Sequence, residues 1–173
     1  LGINFFDTAN LYGFGHSEEL LGSTFKDERE RVLLATKAGF ADASGRQNFD
    51  PAHLRSSLLA SLRRLRTGWV ELLQLHSPGL DDLRQTAGLF EMLEQCRQEG
   101  LLRHVGLAAR SPADALLAVQ QFNFASVQVN FNFTDLRALE NGLFNLCERR
   151  GVAVIVRTPL AFGFLTGKVH QGE

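Results

Sequence analysis

The sequence has 173 residues, of which 45% are hydrophobic, and its 18 basic and 19 acidic residues give a formal net charge of −1. This length and composition allow one sizeable buried core and exclude a disordered chain. Because the charges are spread along the chain, we expect neither a nucleic acid nor a membrane surface as partner. The two cysteines, Cys96 and Cys147, lack CxxC or metal-ligand spacing, which favours a reducing, cytoplasmic location.

Short strand-like runs recur along the chain, and most of them are continuously apolar. Such runs are typical of strands that are covered on both faces of a parallel sheet. Strands are predicted at residues 3–6, 32–36, 69–75, 104–107, 126–130 and 152–156.

Helical patterns lie between the predicted strands. Asp50 and Ser111 are each followed by a proline, which is the pattern of an N-cap residue before the first helical position. Helices are predicted after these two N-caps and at residues 17–25, 81–99 and 139–150, the last two ending at Gly100 and Gly151.

This alternation predicts a single α/β domain over residues 1–173. The repeated units could form most of a doubly wound sheet or three quarters of an eightfold β/α barrel. A GxGxxG fingerprint after the first strand would favour the doubly wound sheet, and the sequence lacks one.

Polar residues fall at the same place in successive units, just beyond the ends of most predicted strands and within the fifth. In a β/α barrel the carboxyl ends of all strands open onto one face, so these side chains would share a pocket. They are Asp7, Tyr12, Lys37, His76, Gln128, Arg157 and Thr158.

Four of these residues suit the transfer of a proton to an oxygen atom. A phenol releases its proton reluctantly at neutral pH unless a nearby cation stabilises the phenolate, and Lys37 could be that cation for Tyr12. Asp7 would hold the ammonium group, because a buried charge needs a partner. His76 could donate a hydrogen bond to a substrate oxygen.

Seven segments, similar in order and spacing, give the chain a resemblance to the aldo-keto reductases over almost its whole length. That family consists of NADPH-dependent (β/α)8 barrel enzymes that reduce aldehydes and ketones. The segments are FFDTANLYG, SEELLG, ATKAG, LLQLHSP, VGLAARS, SVQVNFN and VIVRTPLAFGFLTGK.

The resemblance implies a small-molecule carbonyl substrate and a role for each matched residue. Tyr12 would be the general acid, Lys37 and Asp7 its modulators, and His76 the group that orients the carbonyl. The match also implies the cofactor-binding residues. Gln128 would bind the nicotinamide carboxamide, and Arg157 stands where many members stack a tyrosine on the nicotinamide ring. Thr158, Pro159 and Leu160 would line the path of the pyrophosphate.

Two departures from the family pattern affect these expectations. Ala108 and Ala109 stand where the family usually has Ser-Asn, so nicotinamide would be held more loosely or by neighbouring groups. An initial strand, the final barrel unit and the basic segment that grips the adenosine 2′-phosphate are absent from the sequence. We therefore expect a piece of a longer barrel, whose cofactor preference and oligomeric state stay open.

The sequence gives less support to other functions. A metal site of Asp7 and His76 would need more ligands and usually an HxH pair, which the sequence lacks, so no metal is expected. A degenerate barrel that binds NADPH as a sensor or interaction protein is the alternative that the two alanines favour. Phe40 and Phe162 could line a pocket mouth for apolar or aromatic carbonyls.

Overall fold

The computed structural model describes residues 2–42 and 44–168. The chain divides into two compact units, Leu1–Gly106 and Leu107–Glu173. The single-domain organisation that the sequence suggests stays a prediction.

The first unit alternates strands with helices in chain order. It contains β1 (Phe5–Asp7), a 3₁₀ turn (Tyr12–Gly15), α1 (His16–Thr24), a 3₁₀ turn (Arg29–Arg31), β2 (Leu33–Ala38), α2 (Pro51–Arg64), β3 (Val70–His76), α3 (Leu80–Gln85), α4 (Leu89–Gln98) and most of β4 (Leu102–Ala108).

Parallel pairing sets the register of β1, β2 and β3 in the first unit. Asp7 pairs with Ala35, while Lys37 pairs with Gln74 two residues further along β2. The hydrogen-bonding order is that of the chain, β1, β2, β3 and β4. The carboxyl ends of β1, β2 and β3 therefore lie at one edge, and residues there become neighbours.

The second unit continues the same alternation from the end of β4. It contains α5 (Pro112–Gln121), β5 (Ser126–Asn130), α6 (Arg137–Glu140), α7 (Leu143–Arg150), β6 (Ala153–Arg157) and a 3₁₀ turn (Ala161–Thr166). Strands β5 and β6 are parallel and pair from Ser126 with Ala153 to Asn130 with Arg157.

The apolar spacing of α2 explains how the helices cover the strands. Leu54, Leu58 and Leu62 are almost fully buried on one face. The side chain of Asp50 accepts a hydrogen bond from the His53 amide at 3.1 Å, as an N-cap does. Ser111 caps α5 in the same way, accepting from the Asp114 amide at 3.1 Å. Both predicted N-caps are confirmed.

Two predicted helices are each divided in the structure. The helix predicted at 81–99 is two helices, α3 and α4, with Gly88 in the left-handed conformation at φ 76° just before α4. The helix predicted at 139–150 is divided at Gly142, with φ 80°. Glycine adopts this conformation without a steric penalty, so each glycine begins a new helix where the pattern suggested continuity.

Within the described residues, no helix combines the length and the apolar composition that crossing a bilayer requires.

Candidate active site

Lys37 is the buried centre of the predicted proton-transfer group. It lies near the end of β2, and its side chain is 0% exposed. Its Nζ donates hydrogen bonds to Oδ2 of Asp7, the last residue of β1, and to the Thr8 carbonyl oxygen at 2.9 Å. These acceptors offset the loss of hydration that burying an ammonium group entails.

Asp7 also accepts a hydrogen bond from Gln74, which the sequence analysis did not select. Gln74 Nε2 lies 2.6 Å from Asp7 Oδ1, so each carboxylate oxygen has its own donor. Because both donors stabilise the ionised form of Asp7, its carboxylate can hold the Lys37 ammonium in place. It gives no support to the alternative of a metal ligand.

Tyr12 lies at the start of the 3₁₀ turn that follows β1. The Lys37 Nζ is 4.9 Å from the centre of the Tyr12 ring, and the tyrosine is 42% exposed. A fully buried cation therefore lies over the ring of a tyrosine that is itself partly exposed to solvent.

His76 ends β3 beside Tyr12. Its ring is edge-on to the tyrosine ring, with centroids 6.3 Å apart and an interplanar angle of 89°, and the residue is only 7% exposed. The first unit thus brings together all four residues predicted for proton transfer, Asp7, Tyr12, Lys37 and His76.

A buried carboxylate fixes the helix that follows the tyrosine turn. Glu18 of α1 is 0% exposed, accepts from Thr36 of β2, and forms an ion pair with Arg64 of α2 at 2.6 Å. Gly15, at φ 96°, leaves room for Arg64, since a Cβ there would come within 2.6 Å of its side chain. The Tyr12 turn is therefore anchored to β2 and α2 through α1.

In the second unit, the predicted cofactor residues lie within β5 and at or just after the end of β6. Arg157 Nε donates to Asn130 Oδ1 at 2.7 Å, and its Nη2 donates to the Ala109 carbonyl oxygen at 2.8 Å. Thr158 follows in the left-handed conformation at φ 59°, and its hydroxyl donates to the same Asn130 oxygen at 3.2 Å. Pro159 and Leu160 come next and are exposed.

Gln128, which is predicted to bind the nicotinamide carboxamide, is almost fully buried. It is 4% exposed within β5, and its side-chain amide forms no hydrogen bond with any residue in 2–42 or 44–168. Ala108 and Ala109 are fully buried at the end of β4, where neither side chain can donate a hydrogen bond.

The family model of the Aldo/keto reductase family matches residues 1–173. The chain belongs to this family. Family membership confirms the resemblance on which the roles of Tyr12, Lys37, Asp7 and His76 were predicted, although it does not by itself test those roles.

Three relatives illustrate the similarity. The NADH-specific methylglyoxal reductase of Escherichia coli is 33% identical, covering 98% of this chain and 56% of its own. The holo form of aldo-keto reductase AKR11C1 from Bacillus halodurans has a TM-score of 0.88 at 33% identity, covering 99% and 58%. A Klebsiella pneumoniae aldo/keto reductase in complex with NADP and acetate has a TM-score of 0.75 at 26% identity, covering 99% and 58%.

These matches confirm the predicted fold class, a (β/α)8 barrel of which about six β/α units are present in this sequence. The chain spans about half the length of the curated relatives it matches.

Gln74 and Asn130 are the residues of the candidate site that the sequence analysis missed. Each lies two residues from a selected residue on the same strand, Gln74 before His76 and Asn130 after Gln128. Since residues two apart point to the same face of a strand, this alternation was the signal that could have found them. Both hold a selected side chain in place, Asp7 and Arg157 respectively.

Proposed function

We propose that this chain carries the proton-transfer site of an NADPH-dependent reductase of aldehydes or ketones. The observation that carries the proposal is the fully buried Lys37 ammonium, bound to Asp7 and the Thr8 carbonyl and placed 4.9 Å from the centre of the Tyr12 ring. A buried cation beside a partly exposed phenol can stabilise the phenolate that remains when the phenol gives up its proton, which supports this proposal.

In the proposed reaction, the Tyr12 hydroxyl proton passes to the carbonyl oxygen as the carbonyl carbon is reduced, and an alcohol results. A nicotinamide cofactor, when bound, would supply the hydride. The positive charge of Lys37 stabilises the phenolate that remains, while Asp7 and the Thr8 carbonyl keep the ammonium in position. His76 donates a hydrogen bond that orients the carbonyl oxygen.

The second unit offers groups that fit a nicotinamide cofactor. The buried amide of Gln128 can pair with a carboxamide, and the guanidinium of Arg157 is a planar cation held by Asn130 and the Ala109 carbonyl. Thr158, Pro159 and Leu160 are proposed to follow the pyrophosphate. Among the relatives one is named NADH-specific and another was solved with NADP, so the preference for NADPH is part of the proposal.

Steady-state oxidation of NADPH with a panel of aldehydes and ketones tests the proposal. We expect the full-length gene product to turn over at least one carbonyl and Tyr12→Phe to lower kcat by about 10²–10⁴-fold, the usual contribution of a general acid. Phe164→Leu is the matched aromatic control, because Phe164 lies in the exposed turn after β6. Equal kcat values in Tyr12→Phe and the wild type would rule out Tyr12 as the acid.

The second candidate is a degenerate family member that binds NADPH as a sensor or interaction protein. Ala108 and Ala109 favour it, because they remove the side-chain donors that the resemblance places at the carboxamide. NADPH binding measured by calorimetry, together with no turnover of any carbonyl in the panel, would support this candidate over the reductase.

A further inference from the structure

We propose that Gln47 is a positioning residue for His76, acting from a hairpin that joins β2 to α2; the inference rests on the proposed function. We define this hairpin by its described residues, 39–42 and 44–48. Phe40 and Gln47 form an antiparallel bridge. The bridge is flanked by hydrogen bonds from Ala41 N to Arg46 O and from Asn48 N to Gly39 O, both at 2.8 Å.

Gln47 holds the main chain on which His76 is carried. Its Nε2 donates to the His76 carbonyl oxygen at 2.9 Å and to the Ser77 carbonyl oxygen at 2.8 Å. Ser77 is left-handed at φ 60°, a conformation that a residue with a side chain keeps only when its surroundings enforce it. One amide group thus supports both carbonyls of the turn that ends β3.

Phe40, the bridge partner of Gln47, contacts the ring of the same histidine. The two rings are edge-on, with centroids 4.7 Å apart and an interplanar angle of 89°. The bridged pair therefore holds His76 at two places, the imidazole through Phe40 and the backbone through Gln47. Groups that act on a reacting centre need this support, because a displacement of about 1 Å can lower the rate about 100-fold.

The chemistry of the contact explains why a glutamine is required. A primary amide presents two N–H donors on one nitrogen, which suits two successive carbonyl oxygens. Glutamate of the same length would place carboxylate oxygens against those carbonyls, and alanine would leave them without this donor. Gln47→Glu and Gln47→Ala are therefore both expected to loosen the turn, although only the first keeps the side-chain volume.

Arg46 supplies a matched control on the same hairpin. Its guanidinium pairs with Asp42 at 2.8 Å on the exposed side. Arg46→Ala removes this pair and keeps the backbone bond of Arg46 to Ala41. We expect Gln47→Ala and Gln47→Glu to lower kcat about 10–100-fold with little change in KM, and Arg46→Ala to keep kcat within about twofold of the wild type.

The test combines these rates with NMR of the full-length gene product labelled with ¹⁵N in its histidine rings. The His76 signals are assigned by their loss in His76→Asn. We expect the His76 signals to shift or broaden in both Gln47 variants and to stay unchanged in Arg46→Ala, with similar thermal stability in all three variants.

Unchanged His76 signals and unchanged kcat in both Gln47 variants would overturn the inference while leaving a working reductase. A wild type that reduces no carbonyl would overturn the proposed function instead. In that case the His76 signals still decide whether Gln47 positions the histidine.

Discussion

Among single residues, Asp7 has a carboxylate whose two oxygens accept hydrogen bonds from different donors. Lys37 Nζ donates to one oxygen and Gln74 Nε2 donates to the other. Gln74 is fully buried and pairs with Lys37 in the strand register, so the strands themselves determine this arrangement. Lys37, the cation beside the phenol, is thus positioned by a carboxylate that is itself positioned by an amide.

Gln74→Leu should weaken catalysis while keeping most of the side-chain volume. Asp7 would lose one donor and gain freedom to rotate away from Lys37, so we expect kcat to fall about tenfold, the effect of one hydrogen bond to a charged group. Steady-state NADPH oxidation measures this effect. Gln98→Leu, on the surface of α4, is the control, and a Gln74→Leu enzyme with wild-type kcat would show that Asp7 needs no second donor.

Among the secondary-structure elements, β3 is joined to the start of β2 by hydrogen bonds of the Glu71 side chain. Its carboxylate accepts hydrogen bonds at 2.8 Å from Arg29 Nη2, the Leu34 amide and the Trp69 indole. Burial by itself would raise the pKa of Glu71, but the bonds from Arg29, Leu34 and Trp69 outweigh it and leave the pKa lowered.

This lowered pKa predicts how stability depends on pH. A carboxyl whose folded pKa is below its unfolded value, which is about 4.3, stabilises the fold above that value and loses the effect as pH falls through the folded pKa. We expect Glu71→Gln to lower the free energy of unfolding by about 1–2 kcal/mol at neutral pH. Urea unfolding at a series of pH values measures the difference in the free energy of unfolding between the wild type and Glu71→Gln. If this difference stayed the same in strong acid, the charge of Glu71 would not be its cause.

Helices α1 and α2 approach each other closely at Gly22. A Cβ at this position would collide with the Arg64 carbonyl oxygen and with the backbone of Leu65. Since backbone cannot move aside easily, Gly22→Ala should destabilise the fold by about 1–3 kcal/mol, the usual cost of overpacking. Thermal or urea unfolding tests this, with Ser23→Ala as the neighbouring control. Wild-type stability in Gly22→Ala would mean that the helices can separate at little cost.

Local patterns predicted the elements well where the signal lies in neighbouring residues. The N-caps Asp50 and Ser111 and the strand from Ser126 to Asn130 follow directly from the sequence. The breaks at Gly88 and Gly142 were missed, because an isolated glycine in a helical pattern can either continue or end a helix. Gln47 could not be found, since its bonds to His76 and Ser77 join residues about thirty positions apart.

At the scale of the whole molecule, the residues proposed for proton transfer all belong to the first unit and the proposed cofactor residues to the second. Recurrence of polar residues along the strands selected the first set, whereas the cofactor roles of the second set were implied only by the resemblance to the family. At Ala108 and Ala109 the family pattern does not predict how the nicotinamide carboxamide is bound, because the usual Ser-Asn pair is replaced. Their loss of side-chain donors leaves Gln128 and the Asn130-supported Arg157 as the proposed contacts of the nicotinamide.

The central claim is that Tyr12 donates the proton, and a single-turnover measurement tests it most directly. Full-length wild type and Tyr12→Phe, each loaded with NADPH, are mixed rapidly with one aldehyde that the wild type reduces, so that the chemical step is separated from product release. We predict equal NADPH affinity and a rate of oxidation about 10²–10⁴-fold lower in Tyr12→Phe. Equal single-turnover rates would contradict the account.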